Sequence, residues 1–173
     1  MLDCRSHPTD STNVPFSNNV NYIISCRNPI ESTLSFCIKP HIGSWHIPKD
    51  QLSDISIKPF RLDPNEFTSR YIEIVKWYRH ISKEILSVAK IVEYNEFSKN
   101  PSESIPLILD LPQLSKHLLD RNSNAKTPGT HRDWIENWEQ IENLISPLKE
   151  DSEEFIKYFL KNKSCPSFLD YFV

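Results

Sequence analysis

Two cysteines and two histidines in the first part of the chain are residue types that bind zinc. They are Cys26, Cys37, His41 and His46. A structural zinc site usually takes four such ligands, and its typical sequence signal is a closely spaced pair of cysteines. No such pair is present, and Cys26 lies far from the other three residues. We therefore expect neither a metal site nor a cofactor. A zinc-dependent module is the least favoured interpretation of the sequence.

Acidic side chains crowd the last third of the chain and could be taken for the carboxylate pairs of acid–base catalysis. They are Glu136, Glu139, Glu142, Glu150, Asp151, Glu153 and Glu154. Catalytic carboxylates need an apolar setting that separates their pKa values. These acids instead fall on polar faces of predicted helices, where they favour solubility and complement helix N-termini. The sequence predicts that the protein is not an enzyme.

Composition restricts the possible functions further. The chain has 173 residues, with two glycines against thirteen prolines. Few glycines disfavour the loops that hold phosphates, and many prolines interrupt long regular elements. The net charge of -3 and the absence of a long basic run predict no direct binding of nucleic acid. No apolar run is long enough to span a membrane, and the scattered cysteines are typical of reduced thiols in cytoplasm or nucleus.

The N-terminal part is predicted to contain little regular structure. Residues 1–32 are rich in Ser, Asn, Thr and Pro, which indicates a disordered polar tail. Residues 33–62 form the next segment, in which Leu34, Phe36 and Ile38 alternate with polar or small residues. This alternation, interrupted by prolines, predicts an extended segment with at most one or two short strands.

A helix followed by a strand is predicted over residues 63–94. Asp63, Pro64 and Glu66 have the types preferred at the start of a helix. The apolar stripe of this helix contains Tyr71, Ile74, Val75, Tyr78, Ile81 and Ile85, with Trp77 beside it. The β-branched run from Leu86 to Val92 then predicts a strand, with Val88 and Lys90 facing away from Ala89 and Ile91. A strand without an obvious hairpin mate is a candidate for pairing with the sheet edge of a partner.

The C-terminal part is predicted to be helical. Residues 95–110 are a polar linker and residues 111–173 a small helical domain. A helix begins near Thr130, and a last helix runs from about residue 151 to residue 163. Their packing residues are Trp134, Trp138, Ile141, Ile145, Phe155 and Phe159. The predicted fold class is mostly α, with short amphipathic helices, extended proline-rich segments and one short partner-pairing strand.

Two ordered sets of motifs are similar to the Gemin-two (SMN-interacting protein) family. The first is Asp63-Pro64, then Tyr71-Ile72-Glu73-Ile74-Val75-Lys76-Trp77, then Ser87-Val88-Ala89-Lys90-Ile91. The second is Thr127-Pro128 with Trp134 and Trp138, followed by the acidic run from Glu150 to Phe159. Each motif alone is weakly specific, but their order and spacing agree with the family from about residue 52 to residue 163.

The resemblance implies a non-catalytic assembly factor of the SMN complex. Members of this family wrap around an open ring of Sm proteins (D1, D2, F, E and G) during spliceosomal snRNP assembly, a step in mRNA processing that mRNA splicing requires. The resemblance implies localisation in cytoplasm and nucleus. Carried over to this chain, the Sm-binding residues are Tyr71, Ile74, Val75, Trp77, Tyr78, Val88, Ala89, Lys90 and Ile91. The family's C-terminal helical domain is longer than the one here, so binding of the SMN protein is left open.

A different class of protein remains as the second interpretation. A small helical scaffold subunit of another nuclear complex, such as chromatin or meiotic machinery, would also present amphipathic helices to partners. The strand distinguishes the two, because Sm docking requires Val88 to Ile91 and a helical scaffold does not.

Overall fold

Helices dominate the structure, a computed structural model that describes residues 17, 21–42, 58–99, 104 and 130–166. They account for 71% of the described residues, and the predicted mostly-α fold class is confirmed. The elements in chain order are β1 (Ile23–Cys26), α1 (Pro29–Ile42), α2 (Pro64–His80), α3 (Lys83–Val88), β2 (Lys90–Glu93), α4 (Tyr94–Lys99), α5 (His131–Trp134), α6 (Trp138–Ile145), a 3-10 turn (Ser146–Leu148) and α7 (Lys149–Asn162). None of the helices in this described part is long and apolar enough to cross a membrane.

The N-terminal predictions are corrected by β1 and α1. Residues 21–32 belong neither to a tail nor to a disordered segment, because β1 and the first turn of α1 occupy them and bury Ile24 and Cys26. Residues 33–42 are helical rather than extended. Residues 1–16, 18–20 and 43–57 lie outside the described residues.

The α1 helix forms because its buried positions have the helical period. Ile30, Thr33, Leu34, Cys37 and Ile38 are all buried, which is a spacing of three and four residues. At the N-terminus the Asn28 side chain accepts a hydrogen bond from the Ile30 N–H (2.9 Å), and Pro29 takes the first helical position. Leu34 and Ile38 of the alternation that predicted a strand belong to this helical stripe, and Phe36 is only partly buried.

The α2 helix begins as its sequence predicts. The Asp63 side chain accepts a hydrogen bond from the Asn65 N–H at 2.9 Å, and Pro64 is the first helical residue. The helix ends at His80, one turn earlier than the apolar stripe suggested. Ser82 then caps the separate helix α3 by accepting from the Ile85 N–H, so that Ile85 belongs to α3.

The predicted strand is shorter than expected and has its mate within the chain. Residues 86–88 form the end of α3, and β2 begins only at Lys90. The β2 strand pairs in parallel with β1, in the register Ile23 to Lys90 and Cys26 to Glu93. Because β1 precedes α1 and α2 in the chain, local sequence gave no hairpin signal for this pairing.

The predicted helix at Thr130 is interrupted. The Asp133 side chain accepts a hydrogen bond from the Thr130 N–H at 2.6 Å, but α5 ends after one turn at Trp134. Ile135 then forms a parallel bridge with Phe60, with the Phe60 N–H donating to the Trp134 carbonyl (2.8 Å) and the Glu136 N–H to the Phe60 carbonyl (2.9 Å). The helix resumes as α6, and Pro147 sits in the 3-10 turn that leads into α7.

The Asn137 side chain extends this bridge by two further hydrogen bonds. Its Oδ1 accepts from the Leu62 N–H, and its Nδ2 donates to the Leu62 carbonyl, both at 2.9 Å. A side-chain amide has the same donor and acceptor as a peptide group, so Asn137 replaces a backbone partner here. The entry to α2 is thereby fixed to the connection between α5 and α6.

The helix-strand segment and the small C-terminal helical domain that were predicted share one hydrophobic core. Buried side chains from β1, α1, α2, α3, α5, α6 and α7 belong to one cluster. The C-terminal packing set lies in it as predicted, with Trp134, Ile141, Phe155 and Phe159 buried and Trp138 and Ile145 partly buried. The predicted linker also begins with a helix, α4, and residues 105–129 lie outside the described part.

Candidate interaction surface

The apolar stripe of α2 lies in the interior, not on a surface. Tyr71, Ile74, Val75 and Tyr78 are each less than a tenth exposed, because α1, α6 and α7 pack around the helix. In this fold these residues belong to the core, and the Sm-binding role given to them stays a prediction that their burial does not favour.

Buried tyrosine hydroxyls of α2 are satisfied within the chain. The Tyr71 hydroxyl lies 3.1 Å from the Ser152 hydroxyl on α7, and Ser152 is fully buried. The Tyr78 hydroxyl accepts from the Arg27 N–H at 3.1 Å, and its ring packs against Phe155 and Phe159 with centroids 4.8 and 5.2 Å away. Burial raises the pKa of both tyrosines.

Part of the predicted Sm-binding surface is accessible, at Trp77 and at the corner between α3 and β2. Trp77 is half-buried, and its ring lies edge-on to the Tyr78 ring with the two centroids 4.8 Å apart. Val88, the last residue of α3, is 53% exposed, which is high for a large apolar side chain. Lys90 is exposed and Ile91 half-buried, whereas Ala89 is buried at the end of α3. We call Val88, Lys90 and Ile91 the corner surface.

The outer edge of β2 adjoins the corner surface. The Lys90 N–H donates to the Tyr22 carbonyl at 2.9 Å, on the side of β1. Successive residues of a strand point their backbone groups to opposite edges, so those of Ile91 point away from β1. Within the residues that the structure describes, the sheet has two strands and none pairs with this outer edge. The edge could therefore accept a strand from another protein.

Lys163 marks the start of that edge. It follows α7 in the left-handed conformation, with φ 49°, and its Nζ donates to the Ala89 carbonyl at 3.1 Å. Lysine near an exposed strand edge discourages indiscriminate pairing. Neither Lys163 nor Asn137 was singled out from the sequence, because their partners Ala89 and Leu62 lie about seventy-five residues away in the chain.

The thiols and imidazoles of the zinc interpretation are dispersed. Cys26 and Cys37 are buried, and loss of solvent raises the pKa of each thiol to about 12, so neither forms a thiolate readily near neutral pH. His41 stacks on Phe60 with ring centroids 3.5 Å apart. In the described part of the chain no three His, Cys, Asp or Glu side chains are grouped as metal ligands would be, and His46 lies outside it.

The charged side chains are distributed unevenly along the C-terminal helices. On α6 and the first half of α7 the exposed acids are Glu139, Glu142, Glu150, Glu153 and Glu154. The end of α7 carries the exposed bases Lys157, Lys161 and Lys163. An exposed acidic stretch attracts partners with a basic surface and directs their approach.

Comparison with known proteins adds no relative to these observations. No family model, no curated protein and no solved structure matches the chain. The class defined by fold and surface is a mostly helical protein with one parallel strand pair. The resemblance to the Gemin-two family consequently rests on the motifs quoted above.

Proposed function

We propose that this chain is a non-catalytic assembly factor that binds Sm proteins during spliceosomal snRNP assembly. The observation that carries the proposal is the outer edge of β2 beside the exposed Val88. Sm docking by strand addition needs an accessible edge together with an apolar side chain that the partner can cover. Both occur within the motif from Ser87 to Ile91 that resembles the family.

The docking surface in this proposal is smaller than the sequence suggested. It consists of the corner surface and the accessible part of Trp77, while the tyrosines of α2 support it from inside. The exposed acids of α6 and α7 add attraction for the basic RNA-facing surfaces that Sm proteins present. Strand addition provides the specific contact, and the acids increase the rate of encounter.

The direct test is size-exclusion chromatography of the purified chain with a mixture of Sm proteins D1, D2, F, E and G. Co-elution as one stoichiometric complex is the expected result. Separate elution at micromolar concentration both in the absence and in the presence of the SMN protein would refute the proposal. Co-elution only when SMN is present would make SMN an obligatory member of the complex.

A helical scaffold subunit of another nuclear complex is the second candidate, and Tyr158 favours it. This tyrosine on α7 is 41% exposed and is flanked along the helix by Glu154 and Lys161. An exposed aromatic side chain among charged neighbours is a common anchor in protein interfaces. Docking there would use a helix face and leave the edge of β2 unoccupied.

A matched pair of substitutions separates the two candidates. Val88→Lys places a charge on the corner surface, and lysine suits the C-terminal end of α3, so folding should be preserved. Under the Sm proposal it weakens the complex about tenfold or more, because the buried area of one apolar side chain is lost. Tyr158→Lys should leave Sm binding unchanged. The reverse pattern would support the scaffold.

A further inference from the structure

A cleft with a basic lining lies where the ends of α2, α3 and α7 meet. Its volume is about 300 Å³. The residues that line it are Tyr78, Arg79, Ile81, Lys83, Leu86, Lys163, Ser164 and Cys165. Nothing in the proposed Sm docking uses this cleft.

Three cationic side chains reach the cleft from three separate elements. Arg79 belongs to the last turn of α2, Lys83 is the first residue of α3, and Lys163 follows α7. Among the described residues that line the cleft, none is a carboxylate. Cationic side chains that line one cleft attract an anion to it.

Lys163 is held at the wall of the cleft by its own contacts. Its N–H donates to the Phe159 carbonyl at 2.8 Å, and its Nζ donates to the Ala89 carbonyl at 3.1 Å. A lysine ammonium group has three donors, so this one has donors to spare. Ser164 adds a hydroxyl next to it. A positioned ammonium group loses less entropy on binding a ligand than a mobile one does.

The cleft has an apolar floor and exposed lysines. Tyr78 and Leu86 are 4% and 6% exposed, whereas Lys83 and Lys163 are exposed to solvent. The volume suits one small group, and the exposed acids elsewhere on α6 and α7 would repel an extended polyanion.

We propose that this cleft binds one phosphate group, either inorganic phosphate or the phosphorylated side chain of a partner. A phosphate carries close to two negative charges at neutral pH and several acceptor oxygens. It therefore suits a cleft lined by three cationic residues better than a single carboxylate does. Arginine and lysine are the residues that bind phosphate oxygens through charge-assisted hydrogen bonds.

The test is an NMR titration of the whole chain with sodium phosphate at constant ionic strength. Saturable shifts of the amides of Lys83, Lys163 and Ser164 at millimolar phosphate are expected. Lys83→Gln should weaken this binding about tenfold, since one charge-assisted bond is lost. Lys161→Gln is the matched control, because Lys161 is an exposed lysine of α7 outside the cleft.

Two results would overturn the proposal. One is the absence of saturable shifts with any phosphate probe, and the other is an equal loss of affinity in the Lys83 and Lys161 variants. A parallel titration with a short phosphoserine peptide and its unphosphorylated form identifies the source of the phosphate. Tighter binding of the phosphopeptide supports a modified partner, and equal binding supports the free anion. Because no Sm protein is used, failure here leaves the proposed function untouched.

Discussion

The hydroxyls of Tyr71 and Tyr78 fix α2 at two points along its length. Tyr71 meets Ser152 on α7, and Tyr78 bonds the backbone at Arg27 just after β1. A buried hydroxyl without a partner costs free energy, so each bond favours one rotation of α2 over its neighbours. The two tyrosines thus select one orientation of α2 in the core, which phenylalanine, without a hydroxyl, could not do.

His131 is a single residue through which pH should affect stability. Its Nδ1 lies 3.9 Å from a Glu31 carboxylate oxygen on α1. Burial lowers the pKa of His131 below its ordinary value of 6.5; the nearby Glu31 opposes this shift, and Arg27 reinforces it. The folded state therefore favours the neutral ring. Its contribution to stability is complete above pH 6.5 and is lost as the pH falls through the lower pKa of the folded protein.

The measurement is urea denaturation at several pH values between neutral and weakly acidic. The midpoint should fall as the pH drops below 6.5. His131→Gln should reduce this dependence, because glutamine does not titrate. An identical pH dependence in both proteins would mean that other groups are responsible.

At the scale of single residues, the sequence predicts what is local. Asp63 caps α2 as expected, because a cap and its partner lie within a few residues. The burial of Tyr71 could not be predicted in the same way. It depends on α1 and α7, and α1 itself was interpreted as an extended segment.

At the scale of elements, the Asn137 side chain joins the entry of α2 to the α5–α6 connection. Asn137→Ala removes both of its hydrogen bonds to the Leu62 backbone. We expect a loss of about 2 kcal/mol in the free energy of unfolding, at about 1 kcal/mol for each bond. Chemical denaturation followed by circular dichroism measures it.

Asn143→Ala provides the control for that substitution. Asn143 is exposed on α6, where alanine is the better helix former, so its replacement should be neutral or slightly stabilising. Equal stability of the two variants would show that the bonds of Asn137 contribute nothing measurable.

Helices and strands could be told apart from the sequence only where the spacing of apolar residues fitted one of the two alone. Over α2 and α7 the helical spacing of buried residues left no alternative. In α1, alternate residues of a helical stripe also fitted a strand, although Asn28-Pro29 carried a helix-start signal. Val88 and Lys90 are both exposed, but Val88 is the last residue of α3 and not part of the predicted strand. The mate of β2 was not predictable, because strand pairing across two helices leaves no local trace.

At the scale of the whole molecule, the shared core predicts one cooperative unfolding transition. Trp77 reports on α2, and Trp134 reports on the C-terminal helices. The chain has four tryptophans, so the test uses variants that keep only Trp77 or only Trp134. In each variant, fluorescence and far-ultraviolet circular dichroism should give the same midpoint. Two different unfolding midpoints would instead indicate that the C-terminal helical domain unfolds independently, as the sequence suggested.

The parallel pairing of β1 with β2 has a consequence for synthesis of the chain on the ribosome. Ile23–Cys26 emerges early, but its partner Lys90–Glu93 emerges only after α1 and α2 have been made. Until then the nascent chain exposes an unpaired apolar edge, and contacts this distant in sequence form slowly. The interval between the two strands is thus the period in which a chaperone would protect this protein from aggregation.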